Sequence, residues 1–149
     1  MTSQTHYLEP TRGDRIFGAV VRWCADRGLN LAGARTLTVA GRVSGQPQRV
    51  PVNPLTLPGG DYLVSVRGQT QWVRNVRAAG RAELRRGRRS ETVVPTEVAV
   101  ADRAPIIRAY LDRWGWEVGR FLPVGVDADA TEAELARVAA DIPVFVLSR

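Results

Sequence analysis

Between Arg35 and Asp61, glycine and proline punctuate the chain every few residues, which leaves room mainly for short strands joined by tight turns. Arg35-Thr36-Leu37-Thr38-Val39-Ala40 alternates apolar residues with threonines and reads as a half-buried strand. A turn follows from Gly41 to Pro47. A second strand is expected from Gln48 to about Leu57, where Pro51 and Pro54 place it at an edge or a bulge. Pro58-Gly59-Gly60-Asp61 is a strong turn, and Tyr62 to Val66 reads as a third strand.

The period then changes. Trp72, Val73, Val76 and Ala79 are spaced for one face of a helix, with Gly80 as its stop. Strands near Arg81–Arg86 and Arg88–Val100 turn at Gly87. Ile106, Ile107, Tyr110, Leu111 and Trp114 mark a helix after Asp102. Thr131 and Glu134 form a capping-box pattern for a helix to Ala140, and Pro143–Leu147 is a final strand. Ahead of these, Ile16, Phe17, Val20, Val21, Trp23 and Cys24 predict an amphipathic helix over residues 14–28. It is expected to pack on the barrel or to make a peripheral membrane contact, after about a dozen flexible residues. The sum is a mainly β, α+β chain over residues 1–149, read as one domain. It has about six strands with helices between and around them, and lacks the strand–helix alternation of a parallel sheet. An antiparallel barrel closed by the C-terminal strand buries this pattern and removes sheet edges.

Composition excludes several functions. His6 is the only histidine and Cys24 the only cysteine, so neither a cysteine-histidine metal cluster nor a Ser/His/Asp or Cys/His catalytic set is expected. Asp127, Asp129, Glu132 and Glu134 suit a loop and a helix start better than a metal site. No apolar run approaches the roughly 20 residues of a membrane span, and Met1 to Pro10 has no signal pattern, so a cytoplasmic protein is expected. The 21 basic residues are all arginine, in a chain of net charge +6. Arginine keeps its charge and offers a planar fork to phosphate or carboxylate. The densest run, Arg85-Arg86-Gly87-Arg88-Arg89, reads as a solvated hairpin tip; nucleic acid, anionic lipid or an anionic coenzyme tail are the sharper alternatives. It lacks the interleaved aromatics that a nucleic-acid reader wants, so no nucleic-acid partner is expected.

Two clusters carry chemistry. In Gly41-Arg42-Val43-Ser44-Gly45-Gln46-Pro47-Gln48-Arg49, two glycines permit a tight turn with exposed N–H groups, and Arg42, Ser44 and Arg49 add donors. The alternative is an ordinary polar hairpin. In Ser65-Val66-Arg67-Gly68-Gln69-Thr70-Gln71-Trp72-Val73-Arg74-Asn75-Val76-Arg77, a strand ends, the chain turns at Gly68 and a helix begins near Thr70. A helix N-terminus favours an anion, and Arg67 stands just before it. Trp72 and Asn75 share a face, suited to flank a ring system and bond its carbonyl edge. The alternative makes Trp72 core and has Asn75 cap a loop. Tyr62, Tyr110 and Trp114 are read first as packing residues; proton donation by the tyrosines, and an acceptor pocket lined by Trp114 and Trp116, are the alternatives.

The segments Leu37-Thr38-Val39-Ala40-Gly41-Arg42-Val43-Ser44-Gly45, Arg49-Val50-Pro51-Val52, Gly59-Gly60-Asp61 and Trp72-Val73-Arg74-Asn75-Val76-Arg77-Ala78-Ala79-Gly80, in this order and spacing, resemble the deazaflavin-dependent nitroreductase and quinone reductase family, as does the closing Ile142–Leu147. The resemblance implies a split β-barrel of the flavin-reductase and pyridoxamine-oxidase type, and the 8-hydroxy-5-deazaflavin coenzyme F-420. It implies hydride transfer from the reduced coenzyme to a quinone, activated enone or nitroaromatic. By the same resemblance Arg42, Ser44 and Arg49 fall to the coenzyme's phosphate and tail, Arg67 and Gly68 to a basic turn beside it, and Trp72 and Asn75 to its ring. Val43 stands where the family often has a lysine or arginine, and the segment from Arg67 to Trp72 is shorter than in the best-known members. Monomer and homodimer are both compatible with the pattern. A non-catalytic deazaflavin- or flavin-binding barrel and a basic protein for membrane or nucleic acid are the competing readings.

Overall fold

The structure is a computed structural model that describes residues 35–149, apart from the side chains of residues 116 and 117. The N-terminal segment expected to be flexible and the helix expected over residues 14–28 lie outside the described residues, as do His6 and Cys24. The strands are β1 (Arg35–Ala40), β2 (Pro47–Val52), β3 (Leu55–Leu57), β4 (Gly60–Val64), β5 (Ala82–Arg86), β6 (Arg89–Glu97) and β7 (Val144–Ser148). The helices are α1 (Gln71–Ala79), α2 (Arg103–Val118) and α3 (Glu132–Val138), with short 3-10 turns at Val100–Asp102, Gly119–Phe121 and Ala139–Asp141.

The seven strands form one antiparallel sheet in the order β2-β1-β5-β6-β7-β4-β3. Its two edge strands, β2 and β3, are separated by only Asn53 and Pro54. Laid flat, seven strands about 4.8 Å apart would hold those edges roughly 29 Å from each other. Three Cα steps cover no more than roughly 11 Å. The sheet therefore curls until its edges meet without pairing, which is the split barrel implied by the family resemblance; the edge-free barrel expected from the strand pattern is corrected, since β2 and β3 stay unpaired edges. The final strand, β7, lies between β6 and β4 and joins the two halves.

One strand expectation is corrected. The stretch expected as a single strand from Gln48 to Leu57 is two strands at opposite edges, which raises the count from six to seven. Pro54 lacks an N–H and restricts Asn53 before it, so the ladder stops there and a new strand starts at Leu55. The third strand also ends sooner, at Val64, where Ser65 and Gly68 form a turn.

The curl divides the apolar residues into two cores. Inside the barrel, Leu37, Val39, Leu63, Leu84, Val93, Phe145 and Leu147 meet Val73 and Val76 of α1. Outside β4 and β7, Val64 and Val144 meet Ile107, Leu111 and Trp114 of α2 and Leu135 of α3. Alternation along β7 sends Phe145 inward and Val144 outward, so this half of the sheet is covered on both faces. Each fully buried apolar side chain contributes about 1.5–3 kcal/mol.

Candidate functional site

Helix α1 begins where its sequence says it should. Gly68 takes φ +90, a conformation that favours glycine, and its N–H donates to the Ser65 carbonyl while Ser65 Oγ donates to the Gly68 carbonyl at 2.7 Å. Thr70 caps the helix, its Oγ1 accepting from the Val73 N–H, and Gly80 ends it at φ +73. The first turn carries no acidic residue to offset the partial positive charge of the helix N-terminus.

The turn between β1 and β2 is built against this helix. The Gly41 N–H donates to the Gln46 carbonyl at 2.8 Å, the Gly45 N–H donates to the Gly41 carbonyl at 2.8 Å, and the Gln46 N–H donates to Ser44 Oγ at 3.1 Å. A Cβ on Gly41 would stand 2.9 Å from Ser44 Oγ and 3.3 Å from the Gln46 carbonyl oxygen, so a side chain there would displace the serine. The Arg42 N–H donates to Asn75 Oδ1 at 3.1 Å, and Arg42 Nη1 donates to the same oxygen at 2.9 Å and to Gln71 Oε1 at 2.8 Å. Gln71 and Asn75 are four apart and so form one stripe of α1.

Asn75 is 4% exposed. Two donors on one atom fix that atom as the amide oxygen, so the amide nitrogen is the group left over. Among the described residues no acceptor meets that nitrogen. Arg42 is oriented by two neutral amide oxygens and pairs with no carboxylate among the described residues, so its charge is held in place without being neutralised. This cluster fits an anionic ligand with a carbonyl edge: a fixed guanidinium, a helix N-terminus and a buried amide donor.

The other expected site residues have separate surroundings. Trp72 is half-buried at the start of α1, its ring 5.9 Å from that of Phe145. The Arg67 guanidinium lies 3.6 Å over the centre of the Phe121 ring, where Arg120 also approaches to 4.6 Å. Arg49 pairs with Thr38 on edge strand β2. By alternation it faces away from the side on which Val50 and α1 pack, so the structure does not bring it to Asn75. Val43 is 92% exposed at the tip of the turn.

Sequence reasoning missed Gln71, Arg77, Glu97 and Arg103. Gln71 was visible as the residue four before Asn75. The other three form a charged network that depends on long-range packing, with no local signal. Tyr110 and Trp114 are buried in the outer core with ring centres 5.0 Å apart, as their helical spacing implied. The Asp129 N–H donates to Asp127 Oδ1, Thr131 and Glu134 complete their capping box, and no metal-binding cluster occurs among the described residues. The arginine-rich hairpin tip sits at the other end of the sheet from the Gly41–Gln46 turn, since Thr36 pairs with Arg85 while Ala40 pairs with Pro47. A small cleft lined by Val124, Gly125, Val126, Glu134, Arg137 and Val138 shares no residue with the Arg42–Asn75 cluster. Among the described residues no helix is long and apolar enough to cross a membrane.

The fold recurs in solved structures. A structure from Agrobacterium tumefaciens, of unknown function, superposes with a TM-score of 0.55 at 16% identity over 87% of this chain and 53% of its own; this chain thus spans about half that protein's length. A protein described as a domain-swapped dimer gives 0.52 at 16% identity over 92% of this chain and 94% of its own. An F420-H2-dependent reductase gives 0.49 at 18% identity over 78% and 94%. No curated protein sequence matches. The sequence model of the F420H(2)-dependent quinone reductases matches residues 18–148. The chain belongs to the F420H(2)-dependent quinone reductase family, oxidoreductases that use the deazaflavin coenzyme F-420.

Proposed function

We propose that the Gly41–Gln46 turn and the N-terminal half of α1 hold the anionic coenzyme, and that the protein directs its hydride to an electron-poor acceptor such as a quinone, an activated enone or a nitroaromatic. The observation that carries this reading is the Arg42–Asn75 pair, whose buried amide nitrogen and uncompensated guanidinium are donors set side by side. In this reading the Asn75 amide bonds a carbonyl of the ring system, and Trp72 flanks it. Arg42, Ser44 and the free N–H groups at the start of α1 take the phosphate. Arg67 and Gly68 form the adjoining basic turn. Arg49, on the outer face of β2, is left with the coenzyme's tail. When bound, the reduced coenzyme supplies the hydride. The chain's part is to fix the coenzyme and acceptor relative to each other and to keep the reacting face apolar.

A fluorescence titration of the protein with F-420, alongside flavin mononucleotide, tests the assignment. Saturable F-420 binding is expected, weakened about tenfold or more in both Arg42→Ala and Asn75→Ala, as suits a lost hydrogen bond involving a charged group. No binding, or a preference for flavin mononucleotide, overturns it. Turnover of quinones, enones and nitroaromatics by the reduced complex then ranks the acceptors.

A further inference from the structure

Helix α1 has nine residues, too few to be stable on its own in water. Its orientation must come from what grips it. Inside the barrel Val73 and Val76 anchor one face, and Arg42 holds the Gln71–Asn75 stripe. A third grip lies on β6. Glu97 and Phe145 are Cα partners in the β6–β7 ladder, so their side chains leave the same face of the sheet. Phe145 meets Trp72 in the first turn of α1. Glu97 meets Arg77 in its last turn, Oε1 accepting from Nε at 2.8 Å and Oε2 accepting from Nη2 at 2.6 Å. The Arg77 Nη1 donates to Oε1 of Gln69, just ahead of the helix cap, so a single guanidinium ties the segment before the helix to its end.

Behind Glu97 stands Arg103, the first residue of α2 and 5% exposed. It donates to Glu97 Oε2 at 3.1 Å, to the Val98 carbonyl at 2.9 Å and to the Ala139 carbonyl at 3.0 Å. The carboxylate is thus fixed by a buried cation on one side while it holds α1 on the other.

We propose that Glu97, acting through Arg77, is a positioning residue that sets the seating of α1 and thereby the affinity of the Arg42–Asn75 cluster for the coenzyme, an inference that rests on the function proposed above. The register pair Glu97 and Phe145 grips the two ends of the helix that carries Trp72 and Asn75. Removing Glu97 also strands the buried Arg103, which lowers global stability by itself. Arg77→Gln is the cleaner probe, since it breaks the grip on α1 and leaves the Glu97–Arg103 contact in place.

The experiment compares wild type, Arg77→Gln, Arg77→Lys and Arg108→Gln. Arg108 belongs to another tether, from α2 to the Ala128 and Ala130 carbonyls, and serves as the stability control. Amide hydrogen exchange across Asn75–Gly80 is read without coenzyme; the F-420 dissociation constant is read separately. Arg77→Gln is expected to speed exchange in α1 and to weaken F-420 binding, each about threefold to tenfold, the range for a partly exposed bidentate pair. Arg77→Lys, which keeps the charge and loses the fork, is expected to recover part of both effects. Arg108→Gln lowers the melting temperature and leaves α1 exchange and affinity unchanged. Unchanged α1 exchange in Arg77→Gln overturns the positioning role, as does faster exchange with unchanged affinity. If wild type binds no F-420 while Arg77→Gln still loosens α1, the function proposed above fails and the grip of Glu97 on α1 stands.

Discussion

The main-chain N–H and the guanidinium of Arg42 converge on one oxygen, Oδ1 of Asn75, so a turn between two strands and a helix 33 residues later share a single acceptor. That sharing leaves the amide nitrogen of a 4% exposed asparagine as a donor and orients an arginine without neutralising it. It also means that Asn75 caps a loop and keeps its amide nitrogen as a donor at once.

Substitution at Asn75 separates these two roles. Asn75→Ala removes the acceptor for both Arg42 donors and is expected to cost about 1–3 kcal/mol of stability together with coenzyme affinity. Asn75→Asp keeps an acceptor for both donors but adds a negative charge beside Arg42 and replaces the amide donor. Its stability is expected to stay near wild type while F-420 affinity falls at least as far as in Asn75→Ala. Thermal melts and coenzyme titrations on both variants decide the matter.

Gly80→Ala isolates backbone strain. Gly80 sits at φ +73, and a Cβ added there would meet nothing within 4 Å, so the cost is conformational rather than steric. A loss of about 1–2 kcal/mol is expected, the usual cost of placing a side chain in the left-handed region. A melting temperature equal to wild type would show that the end of α1 relaxes without penalty.

Phe145→Ala empties the floor beneath Trp72. Phe145 is 1% exposed and lies in the barrel core, so a loss of about 3–5 kcal/mol is expected. The signal specific to this contact is a red shift of Trp72 emission, read as the difference from a Trp72→Phe background. A spectrum unchanged by the substitution would contradict the contact.

Acid should weaken the fold through three carboxylates. Hydrogen bonding from Arg77 holds Glu97 below the usual carboxylate range, opposed by burial and helped by the charges of Arg77 and Arg103. Asp61 is lowered first by the Thr56 hydroxyl and then by Arg149, and Glu91 is lowered by hydrogen bonding from Arg149. A depressed folded-state pKa gives stability that is present above the unfolded value of about 4 and is lost as pH falls through the folded value. Denaturant melts between neutral pH and pH 3 are therefore expected to show falling stability below about pH 4, with a shallower fall in Glu97→Gln. An equal fall in that variant would remove Glu97 from the account.

Elements whose signals are local could be read from the residues alone. Threonine alternation marks β1, the period change at Trp72 with Gly80 as stop marks α1, and Thr131 with Glu134 marks the start of α3. Each depends on backbone preference and on neighbours within a few residues. The turn at Gly41–Gly45 and the Trp72–Asn75 stripe were legible for the same reason. Pro54 marked the break locally, but that the two pieces become opposite edges of one sheet, β2 and β3, came from the fold, because strand order is set by long-range pairing. The fold also turned Arg49 away from α1 and set Arg42 on Asn75, Phe145 beneath Trp72, and Glu97 between Arg77 and Arg103. Apart from the Glu97–Arg103 contact, six positions apart, those relations join residues 20 to 70 or more positions apart or depend on strand register, and no local pattern encodes where the sheet's curl brings distant side chains together.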